Sequence, residues 1–341
     1  MKQFCLAIAL AGVLGGCSGV EVPSGNGPGV GGSAGAAGSA TQGGAGSGGG
    51  GVSGGGVAGS ATLAGMGGVL GGTAGMSGGG GVGGVGGDGP DTSMKPSTGC
   101  TKPPNQALDE YVRYTLTSSQ VEREYFVRLP ANYDPAKPYR LMITHPYGNG
   151  RGDSGTTPLY NAENAEAIFV GPSPNGKFFK YTADSADVKF FDEMLAVVEG
   201  SFCVDQNRIF ASGMSSGSWF TNVLGCQRSN VLRAQGNISG CWPDDGRLDP
   251  NICNPRNIAG LFIHDEDDGT NSIECGMVAR DRLLAHNGCS TETMPIEPAP
   301  CVEYQGCKPG YPVVWCQTQG KGHDPQNGFA VPTLYNFFAQ F

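Results

Sequence analysis

The stretch Arg208-Ile-Phe-Ala-Ser-Gly-Met-Ser-Ser-Gly217 constrains this chain more than any other. An apolar run leads directly into Gly213-Met214-Ser215-Ser216-Gly217, a G-x-S-x-G sequence. At the end of a strand, that spacing describes a tight strand-to-helix turn that pushes a serine hydroxyl into a cleft. The glycines are needed because bulkier residues would collide across so sharp a turn. In a chain with 60 glycines the spacing alone means little, and it recurs around Ser33, Ser53 and Ser77. Those three sit in low-complexity sequence with no strand before them and no amphipathic run after. Ser215 alone has the context of a nucleophile; the rival reading is a structural turn serine.

The N-terminus reads as a targeting signal over residues 1–16. Lys2 supplies the positive charge, and Phe4 to Leu14 is apolar but too short to span a bilayer. It ends in Leu14-Gly-Gly-Cys17, which resembles the lipobox of bacterial lipoproteins. That resemblance implies cleavage before Cys17 and acylation of its thiol; the rival is an ordinary secretory signal. Ser18 after the cysteine implies sorting to the outer membrane. Residues 17–99 form the anchor and a Gly/Ser/Ala-rich segment, charged only at Glu21, Asp88, Asp91 and Lys95. Such a segment buries too little apolar surface to offset its ordering entropy, so a disordered tether is expected, with a reach of roughly 50 Å.

From Cys100 to Phe341 the composition turns globular, with a length suited to one α/β domain. A net charge of −9 leaves no basic stripe for phosphates, which argues against nucleic acid, and it gives no reason to expect anionic lipid as a partner. The expected membrane link is the lipid anchor alone. Ten of the 12 cysteines fall at or after Cys100 without close C-x-x-C pairs. In an exported protein that argues for disulfides over zinc, with the pairing open.

Apolar patterning gives strands at 125–129, 140–144, 167–170, 208–214, 261–263 and 312–316. Helices are expected at 186–200, after Ser218, at 273–286 and at the C-terminus, where Leu334, Phe337, Phe338 and Phe341 share a face. Alternating strands and helices imply a mostly parallel sheet flanked by helices, with chemistry beyond the carboxyl ends of the strands.

A serine hydroxyl needs a base, and the chain has four histidines. With this kind of elbow the chain order is serine, acid, histidine. His145 precedes Ser215, His286 sits at a helix end, and His264 ends a strand, whereas an acid must come before the base in the chain. His323, in the loop Thr318-Gln-Gly-Lys-Gly-His323, is the candidate base. The acid should lie in Asp265-Glu266-Asp267-Asp268, after the strand ending at His264. Most of such a charge run is expected to be solvated, and spacing does not choose among its members. The backbone N–H groups of Ser216 and Tyr147 are the candidate oxyanion donors, since Pro146 has none. Trp219, Trp242 and Tyr147 are candidates to stack on a substrate ring, against the usual fate of large aromatics as packed residues.

With these residues in place, the domain resembles the secreted esterases grouped with polyhydroxybutyrate depolymerases and feruloyl esterases of carbohydrate esterase family one. The likeness rests on Asp187-Val188, Phe190-Phe191-Asp192, Phe202-Cys-Val-Asp205, Arg208-Ile-Phe210, Gly213-Met-Ser-Ser-Gly217, Leu224 and Cys226. It implies an α/β-hydrolase fold and ester hydrolysis through an acyl-enzyme, without metal or organic cofactor. The family's H-G-x-x-D motif falls on His264-Asp-Glu-Asp-Asp268, implying Asp268 as triad acid. Asp265 replaces its glycine there, so Asp267 stays open. The G-x-G-H motif is met by Gly320-Lys-Gly-His323, and the early H-G-x motif becomes His145-Pro-Tyr147. The implied substrates are feruloyl or acetyl esters on plant polysaccharide such as xylan, with polyhydroxybutyrate as runner-up. An inactive surface binding protein on the same scaffold is the alternative from another class.

Overall fold

The computed structural model describes residues 89–160, 162, 166–243 and 248–341. The signal at 1–16, Cys17 and the Gly-rich segment up to residue 88 lie outside the described residues.

The strands are β1 (Val112–Ser118), β2 (Val121–Arg128), β3 (Tyr139–His145), β4 (Ala167–Pro172), β5 (Val204–Met214), β6 (Ala234–Ile238), β7 (Ala259–Asp265), β8 (Thr293–Pro295), β9 (Cys301–Tyr304) and β10 (Val313–Thr318). The helices are α1 (Ala186–Ser201), α2 (Ser216–Gln227), α3 (Ile273–Asn287) and α4 (Asn327–Ala339). All strands join one sheet in the order β1-β2-β4-β3-β5-β6-β7-β10-β9-β8. The run from β4 through β10 is parallel, and β2, β1, β9 and β8 extend its two edges antiparallel.

Two apolar layers cover the sheet. Helix α1 sends Val188, Phe191, Leu195 and Val198, the stripe expected from their spacing, into one core with Phe220, Val223 and Leu224 of α2 and Leu283 of α3. Helix α4 covers the opposite face through Leu334, Phe337 and Phe338, the last stacked on Phe210 of β5 at 4.9 Å. The four apolar side chains of α1 emerge on one side because their spacing follows the helical turn of 3.6 residues.

Several elements differ from the expectation. Strand β6 (Ala-Gln-Gly-Asn-Ile) has no apolar run, yet all five residues are buried. Its Gly236 lies where a Cβ would overlap a methyl carbon of Leu334, so α4 presses directly on the backbone. Residues before Cys100 also pack on the domain: Pro96 bridges Asp205, Ser97 N–H donates to Val204 O at 2.8 Å, and Asp205 accepts from Lys95 N–H at 3.0 Å. Backbone pairing against the start of β5, rather than apolar burial, holds this segment.

Five disulfides join Cys100–Cys203, Cys226–Cys253, Cys241–Cys275, Cys289–Cys307 and Cys301–Cys316. They use all ten cysteines of the domain and fit an oxidising compartment.

Candidate active site

Three loops meet beyond the carboxyl ends of β5, β7 and β10. The first is the turn into α2. Ser215 has φ 52° and ψ −118°, a conformation that side chains other than glycine rarely adopt. Such strain costs of order 1–3 kcal/mol and persists only when the surroundings over-determine it. Here they do: Ser215 N–H donates to Ile238 O at 2.9 Å, and Trp219 N–H donates to Ser215 O at 3.0 Å. A Cβ on Gly213 would overlap the backbone of Gly217, and one on Gly217 would overlap the carbonyl oxygens of His145 and Pro146. Both glycines of the motif are therefore demanded by backbone contact. The second contact also seats the end of β3 against the elbow.

The loop after β10 carries His323. Gly320 and Gly322 take φ of 71° and 61°, the left-handed turns that glycine permits. His323 Nε2 lies 2.9 Å from Ser215 Oγ, and its Nδ1 lies 2.8 Å and 3.0 Å from the two carboxylate oxygens of Asp268. Facing a carboxylate keeps the proton on Nδ1, so Nε2 is left to accept the Ser215 hydroxyl proton.

Asp268, on the turn after β7, is 5% exposed. Burial alone would raise its pKa. The bond from His323 and the N–H groups of Asn271 and Thr270, each at 2.9 Å, outweigh burial and hold it below the usual carboxylate range. Asp267 stays exposed and accepts Gly320 N–H at 2.9 Å, so Asp268 is the acid that meets the imidazole. The charge run is less solvated than expected: Glu266 and Asp267 are exposed, but Asp265 is as buried as Asp268.

Ser216 opens α2, where the first N–H groups have no intrahelical acceptor. Tyr147, half-buried, follows Pro146 beside Gly217. The other histidines are elsewhere. His145 is fully buried, with Nδ1 donating to Ser212 O at 2.9 Å. His264 is buried, with Nε2 at 2.9 Å from Asn271 O and 3.5 Å from Asp268. Burial lowers its pKa. His286 Nε2 donates to Arg256 O at 2.8 Å.

No family profile matches the chain. Over 274 residues, 72% of this chain and 91% of the relative, it is 32% identical to feruloyl esterase D of Neurospora crassa. Over 251 residues, 67% of this chain and 83% of the relative, it is 32% identical to feruloyl esterase C of Emericella nidulans. The chain belongs to the feruloyl esterase family. It is a serine carboxylic-ester hydrolase. Solved structures share its α/β-hydrolase fold: an acetyl xylan esterase from Aspergillus awamori aligns with a TM-score of 0.53 over 67% of this chain and 99% of that one, at 15% identity. The feruloyl esterase module from Clostridium thermocellum, complexed with sinapinate, aligns at 0.51 over 73% and 95%, at 14% identity.

In this feruloyl esterase family member the aromatic residues divide. Trp219, one turn into α2 from Ser215, is partly exposed and lies 5.4 Å from the ring of Tyr181. Trp242, expected as a second stacking residue, is instead 7% exposed and packed in the core under the Arg282 guanidinium. It offers no free face to a substrate. Phe178, which no motif singles out, is 42% exposed and covers Gly148, one residue beyond Tyr147. Its only sequence signal was a second aromatic beside Phe179, which is fully buried.

Proposed function

We propose that this esterase releases feruloyl or acetyl groups from plant cell-wall polysaccharide such as xylan, using Ser215 as nucleophile, His323 as general base and Asp268 as its partner. Ser215 Oγ attacks the ester carbonyl while its proton passes to His323 Nε2. Asp268 holds the imidazole in the Nδ1–H tautomer and stabilises the imidazolium. The N–H groups of Ser216 and Tyr147 receive the oxyanion; a single such donor is typically worth ~2.7–4 kcal/mol in the transition state. His323 then protonates the departing sugar oxygen, and water repeats the cycle on the acyl-enzyme.

One observation carries this reading: a single imidazole lies 2.9 Å from the serine hydroxyl and 2.8 Å from a buried carboxylate. The names of the curated relatives support a feruloyl substrate over a polyester, and the intact Ser, His and Asp set speaks against an inert binding scaffold. Ser215→Ala should abolish release of ferulate from methyl ferulate while leaving the circular dichroism spectrum unchanged. Turnover by that variant would refute the assignment. The protein is exported. We infer further that acylation at Cys17 tethers it to the outer membrane, and Cys17→Ser should then release it from washed membranes into the soluble fraction.

A further inference from the structure

We infer that Asp265 is a positioning residue for the general base, its carboxylate fastening the loop that carries His323 to the turn that carries Asp268. The inference rests on the reading of Ser215, His323 and Asp268 given above.

Asp265 ends β7 and is completely buried. All four hydrogen bonds that its carboxylate accepts come from the two loops that must meet, or from the strand end feeding them. Oδ1 accepts Gly322 N–H at 2.9 Å and Asp267 N–H at 3.1 Å. Oδ2 accepts the Thr318 hydroxyl at 2.9 Å and Lys321 N–H at 3.1 Å. Gly322 is the residue immediately before His323. No cation lies within ion-pair distance of Asp265 among the described residues, so these four donors alone compensate the buried charge.

The geometry is that of an anion-binding concavity. Successive backbone N–H groups in a segment with left-handed residues point inward, as they do around phosphates. Here the anion is the chain's own side chain. Burial would raise the Asp265 pKa, but the donors from Gly322, Thr318, Asp267 and Lys321 outweigh it and keep the carboxyl ionised below its ordinary range. Asp267 makes a parallel bond to Gly320, but it is exposed and its contribution is screened by water. Asp265 also stands where the related motif has glycine, a residue with no side chain to reach this loop. In this chain the carboxylate is what fixes where the imidazole hangs.

Positioning of this kind acts on the chemical step rather than on substrate binding, and a displacement of about 1 Å can cost about 10²-fold in rate. Asp265→Asn presents an NH₂ to donors that need an acceptor, so at least one bond is lost and the loop loosens. With methyl ferulate, kcat should fall about 10²-fold while KM stays within about twofold. Amide hydrogen exchange at Lys321 and Gly322 should accelerate while the central strands keep their protection. Thr318→Val, a near-isosteric change that removes the hydroxyl donor to Asp265 and with it the acceptor of Gln326 Nε2 at 2.9 Å, should lower kcat about threefold to tenfold with the same unchanged KM.

An Asp265→Asn enzyme with wild-type kcat overturns the proposal. So does a loss of kcat accompanied by lost protection across the whole sheet, which would mark Asp265 as merely structural. Should Asp265→Asn not fold, Thr318→Val decides: unchanged kcat overturns the proposal, and lowered kcat at constant KM supports it. Failure of the underlying triad reading is distinguishable, because it appears as turnover by Ser215→Ala and leaves the exchange result at Lys321 and Gly322 intact.

Discussion

Acid should destabilise this esterase partly through His145, a ring that takes no part in the chemistry. His145 ends β3 with 0% exposure, edge-on to Phe179 and Phe220 at 5.3 Å and 5.1 Å. Its Nε2 is buried and has no hydrogen-bond partner among the described residues. Burial pushes its pKa from 6.5 down to about 4, against the smaller opposing effect of the bond to Ser212 O. At ~1.4 kcal/mol per pKa unit, that depression corresponds to roughly 3–4 kcal/mol, of which about 3 is expressed by pH 4. The sign follows from linkage: between the two values the unfolded chain binds a proton that the native ring refuses, so stability falls with pH. The contribution is intact above about pH 6.5, drains away towards about pH 4, and changes no further below that. Urea unfolding of the wild type and His145→Asn, at about pH 7 and about pH 4, isolates it. The asparagine amide can reproduce the Nδ1–H donor but does not titrate. Asp265, Asp268 and His264 titrate in both proteins and cancel in the comparison. The stability advantage of the wild type should shrink by about 3 kcal/mol on acidification. A change under ~1 kcal/mol would show that the pocket accepts the imidazolium, and the burial argument would fail.

Other outcomes follow from the same geometry. Asp268→Asn should preserve the fold but leave His323 in the wrong tautomer, lowering kcat by about 10⁴-fold on methyl ferulate at neutral pH; a loss under tenfold would remove Asp268 from the triad. Because the Asp268 carboxyl is held below its ordinary pKa, its stabilising bonds persist above about pH 4 and vanish as pH falls through the lower native value, so acid unfolding curves of Asp268→Asn should be flatter in that range. Gly217→Ala should push Pro146 and Tyr147 off the elbow and reduce kcat by at least about tenfold with KM little changed, which initial-rate kinetics will read. Replacing Cys100 and Cys203 together by serine opens a link between residues 103 apart and should cost about 4–5 kcal/mol, visible as a melting temperature lower by roughly 10–15 °C.

The sequence was most readable where physical demands coincide with residue type. The elbow announced itself because Gly213 and Gly217 each face backbone atoms, and no other residue can stand there. Helix α1 was legible because its apolar residues follow the helical period against a single core. Strand β6 was not, because its burial is achieved with Gln235, Gly236 and Asn237, whose environment is set by α2 and α4 rather than by their own polarity. The acidic run at 265–268 was only half legible. Charge alone suggests that most of these side chains are solvated, whereas the fold supplies backbone donors that satisfy two of them within the interior. For Asp268 they are local, from Thr270 and Asn271, but for Asp265 the donors at Lys321 and Gly322 lie more than fifty positions away, a distance at which spacing carries no information.

Cys301 and Cys316 face each other across β9 and β10, and Thr318 lies two residues further along the same strand. The last strand before the histidine loop is thus riveted to its neighbour just short of the point where that loop departs. Oxidation during export and the tuning of turnover therefore share a covalent hinge. Replacing Cys301 and Cys316 together by alanine, with the other four bridges kept, should leave folded molecules of depressed specific activity, which active-site titration would expose.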